Sequence, residues 1–245
     1  MRICLAQIAS DKGAVTNNIQ HHLKVIAEAN ALQVDLIIFP ELSITAYEPI
    51  LAEALALDWH DTIFDPFQKI ADENNTSIGI GMPTKANNGI NISMLIFQPQ
   101  RARSIYSKRI LHADELPYFV SGEHQPFLNI KGKKIALGIC YETLQRSHFV
   151  NAVENEADIY IASVAKPARG TDKAYLHFPS VAKAFQLPIL MCNCVGYCDN
   201  FLSDGKSAIW NRKGQLLQQL GEQHQGLLVY DTELETVEAR YLLFG

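Results

Sequence analysis

Apolar and polar positions alternate with a period of two over residues 2–8. They then switch to helical spacing over 14–32, where Val15, Ile19, Leu23, Ile26 and Ala27 share a face. Residues 35–39 form a short run that is apolar throughout, as a strand covered on both faces requires. A second helical stretch covers 60–74, with Ile63, Phe67, Ile70 and Ala71 on one side, and Ser77-Ile-Gly-Ile-Gly81 reads as another central strand. Residues 90–98 and 102–107 read as a hairpin turning through Gln98-Pro-Gln-Arg101. Lys131-Gly-Lys-Lys134 is a solvated turn leading into an apolar strand that ends at Cys140. A helical stretch at 147–156, a strand at 158–163, a helix at 172–186 and a strand at 188–194 follow, and 205–231 reads as two or three antiparallel strands.

Strands outnumber helices, with helical crossovers at both ends and hairpins between. That pattern predicts an α/β fold, a four-layer α-β-β-α sandwich built on two mixed β-sheets. No Gly/Ser/Pro-rich linker, internal repeat or low-complexity tract interrupts the chain, so residues 1–245 are expected to form a single domain. Residues 109–126 have no clean periodicity and hold His112, Asp114, Glu115, Pro117, Gly122, His124 and Pro126. A long irregular segment inside a compact domain is usually functional.

Three predicted strands end abruptly in chemistry. Asp35-Leu-Ile-Ile-Phe-Pro40 delivers Glu41, Arg103-Ser-Ile-Tyr-Ser107 delivers Lys108, and Lys134-Ile-Ala-Leu-Gly-Ile delivers Cys140 followed by Tyr141-Glu142. In α/β folds, ligands and catalytic groups collect at the carboxyl ends of strands. A thiol, a carboxylate and an amine there can make a nucleophile, a base and an oxyanion clamp. Taken singly, each has an ordinary reading: a buried inert thiol, a loop carboxylate, a surface lysine. Gly138 is expected to let backbone approach the Cys140 strand closely, and Tyr47 and Glu48 suggest a pocket rim beside Glu41.

Composition narrows the partners. Of 245 residues, 48% are hydrophobic, enough for a large core, and the net charge of −5 leaves no basic footprint for nucleic acid. No apolar stretch reaches the roughly 20 residues of a membrane span, and the N-terminal run is too short for a secretory signal. Five cysteines in a well-cored chain argue against a disulfide framework and for a cytoplasmic location. Cys192 and Cys194 are expected on one face of a strand, but no second Cys/His pair follows at zinc spacing, and no metal or organic cofactor is expected. Gly205-Lys206-Ser207 lacks the upstream glycine of a phosphate-binding loop.

The motifs resemble those of the nitrilase superfamily of carbon–nitrogen hydrolases. Phe39-Pro40-Glu41 with Tyr47, Tyr106-Ser-Lys108-Arg-Ile-Leu111, Glu115-Leu-Pro-Tyr-Phe119-Val-Ser-Gly122 and Gly138-Ile-Cys140-Tyr141-Glu142 match its signature in order and spacing. Asn193-Cys-Val-Gly196, Gly205-Lys-Ser207 and Gly214 resemble its later elements. The chain departs in four places, the first being one residue fewer between Gly138 and Cys140 than in some members. Ala46 stands where a glycine is frequent. Thr143-Leu-Gln-Arg146 replaces an aromatic-Pro-Glu continuation. Ser163-Val-Ala-Lys166-Pro167 lies where many relatives carry an aromatic residue.

The resemblance implies a cysteine-dependent amidase with Cys140 as nucleophile, Glu41 as base, Lys108 on the oxyanion and Glu115 as a second carboxylate holding Lys108 or orienting substrate. Tyr47, Tyr141, Glu142, Ser163 and Lys166 are the expected substrate contacts. A small linear amide is the favoured substrate, with N-carbamoyl amine and nitrile hydrolysis as alternatives on the same triad. Acyl transfer to an amine and a non-catalytic scaffold of the same fold are the rival classes. The resemblance also implies a homodimer, paired through helices near the nucleophile and the C-terminal strands, where Tyr241-Leu-Leu-Phe-Gly245 is apolar.

Overall fold

The structure, a computed structural model, describes residues 1–123 and 127–243. His124 and Pro126 of the irregular segment, and Phe244 and Gly245 of the apolar C-terminus, therefore lie outside the described residues.

The first sheet forms as the alternation and apolar runs require. β1 (Arg2–Gln7) is followed by α1 (Val15–Ala31), β2 (Leu36–Ile38), a one-turn helix α2 (Ala52–Leu55), α3 (Asp65–Asn74), β3 (Ser77–Ala86), β4 (Gly89–Phe97) and β5 (Ser104–Ser107). The second half supplies β6 (Phe127–Ile130), β7 (Lys133–Ile139), α4 (Arg146–Glu154), β8 (Ile159–Ser163), α5 (Ala168–Phe185) and β9 (Ile189–Cys192). β10 (Val195–Cys198), β11 (Phe201–Asp204), β12 (Ala208–Trp210), β13 (Leu216–Gln219), β14 (Gly226–Asp231) and β15 (Thr236–Tyr241) complete it.

Two mixed sheets result, in the orders β15-β14-β1-β2-β3-β4-β5 and β13-β12-β9-β8-β7-β6, with β10 and β11 as a separate hairpin. Both sheets are parallel at the centre (β1-β2-β3 and β7-β8-β9) and antiparallel at the edges. The expected α-β-β-α sandwich is the observed one.

Alternation decides which residue enters which layer. Ile3, Leu5, Leu36 and Ile38 face Leu137, Ile161, Leu190 and Ile209 between the sheets. Cys4, Ala6 and Ile37 point the other way, against Val25 and Ile26 of α1 and Phe67 of α3. On the far side Phe149 of α4 and Phe178 of α5 pack on Tyr160 and Trp210.

The expected strands over 205–231 are divided between the sheets. β12 and β13 pair with each other, but β14 crosses over and lies beside β1, with Leu228 opposite Leu5. Hairpin β10-β11 and strand β15 were not expected, and α5 begins four residues before the anticipated 172. β9 stops at Cys192, so Cys192 and Cys194 part company. Cys192 donates to Ala6 O (3.4 Å) and Ile38 O (3.2 Å) across the sheets, while Cys194 Sγ lies 3.6 Å from Cys198 Sγ.

Candidate active site

β2, β5, β7 and β8 all release their chains at the same end of the sandwich, because β5 lies parallel to β2 and β3 after two antiparallel steps. The residues that follow them are Glu41, Lys108, Cys140 and Lys166. Ser163 at the end of β8 donates to Phe39 O at 2.8 Å and ties the two sheets together there.

Glu41 sits in a tight turn whose Leu42 and Ala46 both have positive φ, 52° and 60°. The alanine before Tyr47 thus occupies a left-handed conformation that glycine adopts without strain. The turn presses on β3 at Gly81, where a Cβ would stand 2.3 Å from Leu42 N and 2.5 Å from Pro40 O. A glycine is required by contact here.

Lys108 is fully buried, and its Nζ donates to Glu41 Oε1 at 2.8 Å and to Glu115 Oε1 at 2.6 Å. Burial alone would lower its pKa, but Glu41, Cys140 and Glu115 outweigh it and hold the ammonium charged. Glu115 comes from the irregular segment and is pinned by donors: Tyr47 Oη reaches Oε1 at 3.0 Å and His112 N reaches Oε2 at 2.7 Å. One ammonium therefore organises two buried carboxylates.

The second oxygen of Glu41, Oε2, is buried without a hydrogen-bond partner among the described residues. Such an orphan is uncommon in a folded interior. Burial raises the Glu41 pKa above the carboxylate range, Lys108 opposes, and Glu115 adds to the rise. The Cys140 thiol is near enough to counter part of that rise, short of a fully formed hydrogen bond. Catalytic hydrogen bonds are often loose before substrate arrives.

Cys140 opens the 3-10 turn Cys140–Leu144 directly after β7, with φ of 48°. A non-glycine residue held there stores strain that its surroundings must impose. Cys140 is half-buried; Lys166 Nζ donates to its Sγ at 3.6 Å, and Sγ lies 3.8 Å from Ala165 O. Burial first, and the Glu41 carboxylate second, push the thiol up to about 11, against the two lysines, Lys166 ahead of Lys108.

The strain is held by Glu142. Its Oε1 accepts from Ile139 N (2.7 Å) and Tyr106 Oη, and its Oε2 from Arg109 N (2.9 Å) and Ile110 N (3.3 Å). All its lone pairs face protein donors, so Glu142 fastens the Cys140 turn to the chain beyond Lys108 and has none to spare for a ligand. His148, kept neutral by burial, links Tyr106 (3.1 Å) to Tyr160 (2.7 Å) beneath it. Gly138 leaves room for this network: a Cβ would meet Tyr160 Oη at 2.2 Å and Thr143 Cγ2 at 2.8 Å. The close approach at Gly138 is by side chains, where backbone was expected.

Of the other expected contacts, Tyr141 stacks edge-on against His112 at 4.9 Å, and Tyr47 packs against Phe201 at 5.9 Å while it holds Glu115. Sequence reasoning missed Asn193. This buried side chain receives Lys166 N at 2.9 Å on Oδ1 and donates from Nδ2 to Lys166 O (3.1 Å) and Gly205 O (2.7 Å). Its signal was the Asn-x-x-Gly element followed by Gly-x-Ser: Ser207 Oγ in turn accepts from Asn193 N at 2.9 Å.

A probable nitrilase of Schizosaccharomyces pombe is 24% identical to the chain over 248 residues, covering 95% of this chain and 89% of that protein. A glutamine-dependent NAD(+) synthetase of Acinetobacter baylyi is 24% identical over 257 residues, which is 98% of this chain and 45% of the synthetase. The chain spans about half the length of that relative. Among solved structures, a variant amidase of Nesterenkonia sp. AN1 superposes with a TM-score of 0.84 at 22% identity, covering 94% of this chain and 89% of that one. It carries the acetamide moiety of fluoroacetamide added covalently at its active-site cysteine. The carbon-nitrogen hydrolase family matches from residue 2 to residue 241. The chain belongs to that family and is a hydrolase of carbon–nitrogen bonds.

Proposed function

We propose that the protein is an amidase for small linear carboxamides, working through a thioester on Cys140. The observation that carries this reading is the Glu41 carboxylate. One oxygen is committed to Lys108 at 2.8 Å, the other is buried without a hydrogen-bond partner among the described residues, and the Cys140 thiol acts on this same carboxyl group. A buried acceptor in that position is set to receive the thiol proton.

Cys140 Sγ attacks the carbonyl carbon while its proton passes to Glu41. The oxyanion that forms lies against Lys108 Nζ and the Tyr141 N–H, which belongs to the first turn of the 3-10 segment and has no partner within that turn. The C–N bond breaks, Glu41 returns the proton to the leaving nitrogen, and ammonia departs. Water then gives a proton to Glu41 and attacks the thioester. The acid leaves as the proton goes back to sulfur. Glu115 keeps Lys108 oriented and charged throughout.

The amide preference draws support from the likeness to the Nesterenkonia amidase, which takes up an acetamide moiety at its cysteine. The test is intact mass spectrometry of the wild type and Cys140→Ala after incubation with acetamide, butyramide, glutamine, an N-carbamoyl amine and an aliphatic nitrile. An acyl adduct on the wild type alone, with ammonia released from an amide, is the expected result. Turnover of the nitrile or the carbamoyl compound alone would replace the amide reading. Full turnover by Cys140→Ala would remove the mechanism.

A further inference from the structure

Lys108 does not have charge to spare. Its ammonium is shared between two carboxylates at 2.8 and 2.6 Å, so the group Glu41–Lys108–Glu115 carries one net negative charge. Once the thiol proton has moved to Glu41 that group is neutral overall, with Glu115 still pairing Lys108, so it offers the thiolate no net positive charge. The second cation beside the sulfur is Lys166, only 4% exposed, whose Nζ donates to Cys140 Sγ at 3.6 Å. Among the described residues no carboxylate pairs with that ammonium.

The backbone of Lys166 is held on every side. Asn193 clamps both its N–H and its C=O, and the C=O also accepts from Ser203 Oγ at 3.1 Å and Asp204 N at 2.9 Å. The side chain is thereby aimed at sulfur from rigid ground, and Lys108 approaches the same centre from the other sheet.

We propose that Lys166 is a further catalytic residue: its ammonium is the counter-ion of the Cys140 thiolate, formed when the thiol proton moves to Glu41. This rests on the amidase reading for its place in the cycle. Before proton transfer the site holds two carboxylates and two ammonium groups. After transfer it holds Glu115, the thiolate and the same two ammonium groups, so no net charge is created in a buried space. Without Lys166 the site would be left one charge negative at every stage, with the new anion on sulfur unpaired. Once Glu41 has taken the proton, Lys108 is balanced by Glu115 alone and can meet the oxyanion, which divides the two developing negative charges between two lysines.

The test is the rate at which iodoacetamide alkylates Cys140 from about pH 6 to 10, where thiol ionisation controls reactivity. It uses the wild type, Lys166→Met and Lys166→Gln. Peptide mass mapping separates Cys140 from the other four cysteines, all buried, and thermal melts show that each variant is folded. An opposite charge within this distance moves a pKa by about one to three units, so the profiles of both variants should shift to higher pH by that much. Each unit lowers the thiolate fraction about tenfold, and the higher nucleophilicity of the more basic thiolate returns roughly a threefold factor. The rate below the midpoint should therefore fall roughly 3- to 40-fold. Unchanged profiles in a folded variant overturn the proposal. So does an unchanged profile with a raised KM confined to amides bearing a carboxylate, which would make Lys166 a substrate anchor. Amide turnover measured in parallel keeps the two readings apart. A shifted profile with no turnover of any amide supports the ion pair and removes the amidase.

Discussion

Replacing Lys108 with Met keeps the length and most of the volume of the side chain and deletes its charge. Glu41 and Glu115, each within 2.8 Å of Nζ in the native site, would then face one another without a cation. Breaking a buried ion pair from one side costs about 3–5 kcal/mol. The pH dependence of that loss is the sharper test. Burial raises the Glu41 pKa and Lys108 is the largest influence opposing it, so the variant's carboxyl moves up further. A group whose folded pKa lies above its unfolded value contributes stability fully below the unfolded value and loses it as pH rises toward the folded one. From the ordinary 4.5 of Glu41, the deficit grows by about 1.4 kcal/mol per pH unit. Its ceiling is about 3.4 kcal/mol at pH 7 for one retained proton. The wild type carries part of the same penalty, so at pH 7 the difference between the two proteins stays at or below that figure. Urea unfolding of both proteins between about pH 5 and 8 measures it. The gap should widen with pH, and adding Glu115→Gln should narrow it by removing one of the facing carboxylates. A gap that stays constant across the range would refute the account of Lys108 as the cation of a dry carboxylate pair.

Glu41→Gln should lower amide turnover by about 10²- to 10⁴-fold in steady-state kinetics while leaving Cys140 available to alkylation. Because the Glu41 pKa is raised by burial and Glu41 must be ionised to accept the thiol proton, kcat/KM should fall on the acid side from a pH above 4.5. A pH-rate profile flat down to that value would count against it. Gly81→Ala places a Cβ 2.3 Å from Leu42 N and displaces the Glu41 turn. Activity should drop by about 10²-fold, the order expected for a catalytic group misplaced by an ångström, and by more than thermal melts account for. Tyr47→Phe removes a 3.0 Å donor to the Glu115 carboxylate and should cost about 1.5–3 kcal/mol in urea unfolding.

Much of this molecule is written locally. A run such as Leu36–Ile38 or Lys133–Ile139 declares itself a strand because it is short and apolar, and the polar residue that ends it marks where the chain leaves the core. The sandwich, and the presence of Glu41, Lys108, Glu115 and Cys140 at loop positions near strand ends, follow from that punctuation together with the motif spacing. Long-range pairing is not written this way. β14 has the pattern of a partner for β12 and β13, yet it pairs with β1, more than 200 residues away, because its alternation fits Leu5 and Ala6 across the ladder. Glu142 reads as a pocket carboxylate beside the nucleophile until four donors from two separate segments are seen to fill it. Lys166 reads as a substrate contact after a strand until the Asn193 clamp is seen to turn it onto sulfur. Periodicity and residue type report on neighbours a few positions apart, whereas the charge state of a buried group depends on which distant side chains packing brings within a few ångströms of it. That is why the strand ends were legible in the chain, and why the electrostatics joining them became visible only once the two sheets were set face to face.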